Sequence, residues 1–194
     1  MALSPGPDNI FVLSNSLYNG KKAGVFTVLG LCTGCLFHTT LVAFGVSEFI
    51  SFDDNIFYAI KLFGSSYMLF LALKVYNSPI SFNVKKIKKI KKSNINNFYM
   101  GFLLNVLNPK VYFFFFSFFP AFLFLEPIDL SFVYQFYILG GLFITTTLIV
   151  FLSIVVFSSA IAKYLVDFKT FHIFIKWIQI LIFTSIGCII LFSV

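Results

Sequence analysis

Long apolar runs separated by short polar turns make up most of this chain. A helix that crosses a bilayer needs about 20 predominantly apolar residues. Five runs reach that length, at 23–44, 56–76, 98–123, 132–157 and 171–194. A shorter apolar stretch at the start contains Pro5 and Pro7, which prevent a regular helix before about Asp8. The pattern predicts an all-α integral membrane protein with six transmembrane helices, of which the first is broken and truncated.

The fourth apolar run is also interrupted, by Asn105, Asn108, Pro109 and Lys110. At a rise of 1.5 Å per residue, Lys110 lies about 18 Å into the run, near the bilayer midplane. A charge at that depth costs about 3 kcal/mol on insertion scales. Pro109 removes one helical hydrogen bond and frees a carbonyl. These features fit a solute site in a transport protein, and the alternative is a proline kink with a lysine that extends to the surface.

Composition and charge exclude a soluble protein. The mean hydropathy is +0.97 and only 11% of the residues are charged, whereas soluble domains carry about 25%. The formal net charge of +7 is concentrated in one polar segment, residues 78–97, which holds six lysines between Lys85 and Lys92. No aromatic platform accompanies these lysines, so nucleic acid is not an expected partner. The segment is typical of a loop at the cytoplasmic membrane surface.

Charged residues alternate in sign from one predicted loop to the next. Lysines follow the first, third and fifth spans, whereas the loops after the second and fourth spans contain acidic residues only. The positive-inside rule therefore predicts that both termini lie outside. We expect a single transmembrane domain, 1–194, with repeat one at 1–77, the basic cytoplasmic loop at 78–97 and an inverted repeat two at 98–194. Each repeat begins with a proline-broken span, a pattern that indicates a transporter site.

Several of these motifs resemble a known family. Ser4-Pro5-Gly6-Pro7-Asp8-Asn9 is followed by the Gly20–Gly24 turn, by Gly30 and Gly34 with His38, by Lys61-x-x-Gly64-x-x-Tyr67 and by Gly101-x-x-x-Asn105-x-x-Asn108-Pro109-Lys110. In this order and spacing they resemble the LysE-type translocators, and within them the branch of homoserine/threonine resistance exporters. Family members usually carry about a dozen apolar residues before the Pro-Gly-Pro-Asp element. Here four residues precede it, so we expect the natural start to lie upstream, and the alternative is a first span that lacks its outer half.

The resemblance implies a multi-pass exporter of small amino acids in the bacterial inner membrane. It implies a threonine- or homoserine-like substrate and export driven by the proton gradient, with no cofactor and no bound metal. The expected partners are the amino acid, the lipid bilayer and, through Gly30 and Gly34, either a neighbouring helix of the same chain or a second copy in a homodimer.

An exporter of zwitterions needs groups of both signs. The half-helix that begins near Asp8 presents free backbone N–H groups, and these or Lys110 can hold a carboxylate. Asp8, Asn105 and Asn108 can receive an ammonium group, together with the carbonyl that Pro109 frees. The predicted substrate-binding residues are Asp8, Asn9, Asn105, Asn108 and Lys110, and the helix breaks that line the site are Pro5, Gly6, Pro7 and Pro109.

Other assignments remain open at the level of sequence. Asp8 can be a simple helix cap or a structural partner of Lys110. His38 or Asp8 can carry a coupled proton, and the alternative for His38 is a hydrogen-bonded packing role. Lys61, which can also extend to the outer surface, and Tyr67 are further candidates for the site.

Other function classes find less support in the residues. The spacing of Cys32 and Cys35 matches redox motifs, but both lie in an apolar span, where packing is the expected role. No zinc-hydrolase motif or catalytic Ser/His/Asp set is visible, so we do not expect an enzyme. The remaining alternatives are an exporter of another small solute or ion, and a truncated remnant that transports nothing.

Overall fold

The computed structural model describes residues 6–46, 54–78, 93–123, 131–160 and 169–192, and the regular structure within them is entirely helical. Pro5, the lysines at 85–92 and the predicted turn at 126–129 lie outside the described residues. The helices are α1 (Pro7–Asn19), α2 (Lys21–Gly45), α3 (Asp54–Tyr76), α4 (Asn94–Val106), α5 (Pro109–Phe118), α6 (Phe132–Val156) and α7 (Lys169–Phe192), with a 3₁₀ turn at Pro120–Phe122.

The apolar pattern predicted the long helices well. Within the described residues, three helical segments are long and apolar enough to cross a membrane: Lys21–Gly45, Tyr58–Tyr76 and Phe132–Val156. The number of candidate spans rises to four if α4 and α5 are counted together as one broken span. In α7, the segment Lys176–Phe192 is a shorter apolar helix. These findings establish a helical membrane protein, whereas the number of six crossings and the inverted repeats stay predictions.

Helix α1 begins one residue before the predicted position. Pro7 occupies the first turn, where the N–H that proline lacks would have no helical partner. The helix ends at Gly20, whose φ of 91° lies in the region that glycine adopts without steric penalty. This residue lets the chain turn directly into α2, so α1 and α2 form an antiparallel hairpin.

The break in the fourth span lies at Asn108. The side-chain oxygen of Asn108 accepts a hydrogen bond from the backbone N–H of Lys110 at 3.1 Å, which caps the start of α5. Pro109 follows at the first helical position, where its fixed φ is favourable. The two helices meet at 57°, so the predicted break is confirmed as a bend between two capped helices.

The helix that contains the fourth apolar run begins earlier than the run itself. Helix α4 already begins at Asn94, because the Ser93 side chain caps it by accepting a hydrogen bond from the Asn96 N–H at 3.3 Å. Asn97 is buried against other helices. The polar residues 94–97 therefore form the first turn of a helix, which their polarity alone did not indicate.

Helices α2 and α4 pack so closely that their backbones touch. A Cβ atom at Gly30 would overlap the Phe98 carbonyl oxygen, and one at Gly101 would overlap the Thr27 carbonyl oxygen. The contact runs parallel, since Thr27 lies opposite Gly101 and Gly34 lies opposite Asn105. Close approach through small residues is common between membrane helices. Gly30 and Gly34 thus serve a contact within the chain.

Two other helix pairs run antiparallel. In α2 and α6, Thr39 packs on Gly140 while Gly24 packs on Val155 near the opposite ends. In α3 and α7, the hydroxyl of Ser65 donates to the Gly187 carbonyl at 2.8 Å. At the other end of the same pair, the rings of Tyr76 and Trp177 lie 6.2 Å apart. The main apolar core lies between α2, α3, α5, α6 and α7, and α5 contributes the buried rings Phe114, Phe115 and Phe119.

Candidate functional site

The start of α1 and the break between α4 and α5 meet in the interior of the protein. Asp8 lies in the first turn of α1 and Asn108 caps α5. The Asn108 amide nitrogen donates to both carboxylate oxygens of Asp8, at 3.2 Å each, and both side chains are buried. A buried carboxylate requires such partners, because desolvation of an isolated charge is very unfavourable. The contact joins residues that are 100 positions apart in the chain.

A small cavity lies beside this contact. Its volume of about 30 Å³ has room for about two water molecules at most. An amino acid does not fit there without movement of the surrounding helices. The lining residues are Gly6, Asp8, Asn9, Cys35, Asn105, Asn108, Lys110, Val111, Phe143, Thr147 and Phe151.

The cavity gathers every predicted substrate-binding residue, together with Gly6 from the first break. Pro5 lies outside the described residues. The sequence did not assign Cys35, Phe143, Thr147 or Phe151 to this site, because each lies in a span where most residues are apolar. Helical spacing connects the last three, which recur every four residues along one face of α6.

Two polar atoms at this site are unsatisfied. Among the described residues, Asn105 Oδ1 and Thr147 Oγ1 are buried and accept or donate no hydrogen bond. The amide nitrogen of Asn105 is directed to the Cys35 sulfur at 3.6 Å. Gly34 leaves space for this side chain, since a Cβ atom there would lie 2.6 Å from Asn105 Oδ1. Buried polar atoms without partners are rare, and at a binding site they are typical contacts for a ligand.

Lys110 occupies the wall of the cavity at the start of α5. Its ammonium nitrogen lies 5.0 Å from the centre of the Phe183 ring in α7. The negative face of an aromatic ring attracts a cation, and the attraction strengthens when both groups are shielded from water. The contact keeps the lysine in the interior, so Lys110 is not a residue that extends to the membrane surface.

His38 supports the helix break from outside the cavity. Its side chain is 2% exposed, and Nε2 lies 3.3 Å from the carbonyl oxygen of Asn105. Pro109 cannot donate to that carbonyl, which was predicted to be free. The prediction is wrong, because the Asn108 N–H donates to the same oxygen at 3.1 Å. A carbonyl only accepts hydrogen bonds, so the proton of this bond belongs to His38 Nε2. The ring also packs against Phe115, with their centres 5.6 Å apart.

The other two candidates lie away from the cavity. Lys61 is 7% exposed, so its side chain points into the protein rather than to the outer surface. Tyr67 is half-buried, with its ring centre 4.3 Å from that of Phe113. Neither residue is among those that line the cavity. Their assignment to the site stays a prediction.

A second buried polar cluster joins α1, α2 and α4. The Asn15 amide nitrogen donates to Thr27 Oγ1 at 2.8 Å and to Asn97 Oδ1 at 3.2 Å. Asn19 donates to Asn15 Oδ1 at 2.7 Å. Asn15 lies two turns from Asp8, about 10 Å along the same face of α1. Helix α1 therefore contacts the second half of the chain through polar groups at two separate points.

The site contains no evident place for a metal ion. In the part of the chain that the structure describes, no three His, Cys, Asp or Glu residues lie close enough together to bind one. Cys32 and Cys35 are both buried free thiols.

The order of these motifs along the chain can be compared with known proteins. Residues 1–193 match the model of a family described as LysE type translocator. The chain belongs to the LysE type translocator family. This membership agrees with the helical, apolar architecture, and it identifies a membrane transport protein of a family of translocators rather than of enzymes.

Two curated relatives illustrate the similarity. The chain is 30% identical over 131 residues to the uncharacterized membrane protein YrhP of Bacillus subtilis. This alignment covers 63% of the chain and 62% of that protein. It is 28% identical over 123 residues to the leucine efflux protein of Salmonella choleraesuis, covering 63% of this chain and 58% of that protein. The matches therefore span less than two thirds of either relative. No solved structure matches the chain.

Proposed function

We propose that this protein exports small neutral amino acids across the bacterial inner membrane, driven by the proton gradient. Membership of the LysE type translocators supports export, and a relative named for leucine efflux supports an amino acid as the solute. We assign the protein to the homoserine/threonine branch on the motifs at both helix breaks. Threonine and homoserine are the proposed substrates, and leucine is the alternative that the relative's name adds.

The observation that carries this proposal is the meeting of the start of α1 with the break between α4 and α5 at a small cavity that several polar side chains line. The cavity offers a carboxylate at Asp8, amides at Asn105 and Asn108, and a cation at Lys110. A zwitterionic amino acid needs partners of both signs, and these residues provide them at one place. Helix interruptions of this kind form the binding sites of transporters with repeated halves.

The proposed architecture has six crossings arranged as two inverted repeats. A two-fold axis in the membrane plane would exchange α1 with α4 and α5, α2 with α6, and α3 with α7. Pairs exchanged by such an axis must run antiparallel, and the contacts of α2 with α6 and of α3 with α7 do so. The contact of Asp8 with Asn108 then lies close to the axis, because it joins equivalent breaks.

We place proton coupling at Asp8 rather than at His38. Asp8 lines the cavity and contacts the cap of α5, so its charge responds directly to whether a substrate ammonium is present. His38 is engaged with the backbone at the break and lies outside the lining. A protonated Asp8 would release the ammonium group, which provides a simple link between proton entry and amino-acid release.

The test is efflux of threonine, homoserine and leucine from cells loaded with peptides that contain them. We expect the wild-type chain to accelerate efflux and Lys110→Ala to abolish it, because the substrate carboxylate loses its cation. Lys176→Ala is the matched control, since that lysine lies away from the cavity and donates to the Ser78 carbonyl at 2.8 Å. The amount of each variant in the membrane is measured in parallel.

The outcome separates the alternatives. Efflux that is lost in Lys110→Ala but kept in Lys176→Ala supports the site. Efflux that persists in Lys110→Ala removes Lys110 from substrate binding. An absence of efflux for all three amino acids, with the wild-type protein present in the membrane, contradicts amino-acid export and favours another solute or a protein that transports nothing.

A further inference from the structure

Three consecutive threonines in α6 differ in their hydrogen bonding. Thr145 donates to the Gly141 carbonyl at 2.8 Å and Thr146 donates to the Leu142 carbonyl at 2.9 Å, as threonines in membrane helices commonly do. Thr147 makes no such bond, although it is 2% exposed, and its hydroxyl has no partner among the described residues. The difference singles out Thr147, because a hydroxyl that could have been satisfied by its own helix is left available.

Thr147 lies at the cavity, and other residues that can accept hydrogen bonds line it too. Thr147 lines the same small space as Asp8 and Asn105. Asn105 Oδ1 has no partner among the described residues, and its amide nitrogen is already directed to Cys35. A carboxylate and an amide oxygen accept hydrogen bonds only, and a hydroxyl can accept as well. Three oxygen acceptors from α1, α4 and α6 therefore converge on one cavity.

We propose that Thr147 is a substrate-contacting residue and that, with Asp8 and Asn105, it forms a subsite for the primary ammonium group of the exported amino acid. The inference rests on the proposed export of amino acids and identifies which part of the substrate this wall of the cavity binds. A primary ammonium has three N–H donors, which matches the three acceptors. Lys110, on the other hand, faces the carboxylate.

The two other groups of an amino acid fit this subsite less well. A carboxylate placed there would face the Asp8 carboxylate and the Asn105 oxygen, and these repel negative charge. A side-chain hydroxyl could donate to Asn105 Oδ1 and accept from Thr147, but it would bring no positive charge to the Asp8 carboxylate, as an ammonium group does. The apolar residues of the same lining, Val111, Phe143 and Phe151, suit the carbon atoms of a substrate.

The test combines three variants with a matched pair of ligands. Thr147→Val replaces the hydroxyl by a methyl group of the same shape, Thr147→Ser keeps the hydroxyl, and Thr146→Val removes a hydroxyl bonded within its own helix. Binding of L-threonine and of L-2-aminobutyrate, which lacks only the side-chain hydroxyl, is measured on the purified full chain. Efflux and the denaturant midpoint for unfolding are measured on the same proteins.

We expect Thr147→Val to weaken binding of both ligands by about 10- to 100-fold, the usual effect of a lost hydrogen bond to a charged group. Thr147→Ser and Thr146→Val should bind within about threefold of wild type, because surface and conservative changes have small effects. Thr147→Val should also raise the unfolding midpoint, since it removes an unsatisfied buried hydroxyl. A residue that only stabilises the fold would change stability in the opposite direction.

Other results overturn the inference. If Thr147→Val weakens L-threonine only, the hydroxyl binds the substrate side chain and the ammonium subsite is wrong. If binding of both ligands by Thr147→Val equals that of wild type, Thr147 does not contact the substrate. If the wild-type protein neither binds nor exports L-threonine, L-2-aminobutyrate or leucine, the proposed function itself fails. This result differs from the two outcomes for Thr147→Val, in which the wild-type protein still binds its ligands.

Discussion

Gly30 provides a sharp test of how α2 and α4 are held together. In Gly30→Ala the new Cβ atom would lie 2.8 Å from the Phe102 nitrogen and 2.9 Å from the Phe98 carbonyl carbon, and closer still to the Phe98 oxygen. Ordinary van der Waals contact begins at about 3.4 Å. The neighbouring atoms belong to a helix backbone, so neither side can rotate away. The two helices must therefore separate by about half an ångström or more, a displacement that a packed interior resists.

Overpacking of this kind destabilises a protein by about 1–3 kcal/mol. Alanine is a better helix former than glycine by about 1 kcal/mol, which offsets part of the loss. We expect Gly30→Ala to lower the free energy of unfolding by up to about 2 kcal/mol, a factor of up to about 30 in the folded-to-unfolded ratio. Separation of α2 from α4 would also displace Asn105 from Gly34, so efflux should fall together with stability.

Gly141→Ala is the matched control, because a Cβ atom at Gly141 in α6 would meet nothing within 4 Å. The same chemical change should leave stability unchanged or raise it slightly. Unfolding can be followed by circular dichroism and by fluorescence of Trp177, which is the single tryptophan of the chain. Equal changes in the free energy of unfolding for the two alanine variants would refute the argument from backbone contact.

Two further predictions concern coupling and topology. Asp8→Asn should abolish proton-coupled export, whereas His38→Gln should retain it, because glutamine keeps a donor for the Asn105 carbonyl. The measurement is efflux against an imposed pH gradient. Loss of coupling in His38→Gln alone would assign the coupled proton to His38. Lysine-reactive reagents that cannot cross the membrane should modify the segment 85–92 only in inverted vesicles, and modification in intact cells would overturn the predicted orientation.

Much of this site was predictable because proline and polar residues are conspicuous in apolar runs. The interruptions at Pro7 and Pro109 each indicated where a helix begins, and the structure places those starts at Pro7 and Pro109. The pairing of the two breaks followed from the repeat pattern. Their direct contact, between Asp8 and Asn108, required the fold.

Other features could not be predicted from the sequence. Nothing in a run of three threonines shows which one faces the interior, because the rotation of α6 depends on Gly140 packing against Thr39. Lys61 lies near the start of an apolar run, which is compatible with a side chain that extends to the membrane surface. In the structure, α3 is rotated so that this side chain is buried. The helical start at Asn94 depends on a single cap, and polarity alone does not distinguish such a turn from a loop.

The two polar contacts of α1 have a consequence for the permeability of the membrane. Asn15 bonds to Asn97 near one end of the helix, and Asp8 bonds to Asn108 near the other. A movement of α1 away from α4 and α5 breaks hydrogen bonds that contribute about 0.5–1.5 kcal/mol each, and more where a charge takes part. When no solute replaces these hydrogen bonds, the conformation with α1 against α4 and α5 is favoured. The protein then does not open a continuous path for water. An idle protein of this design would leave the ion gradient of its membrane undissipated.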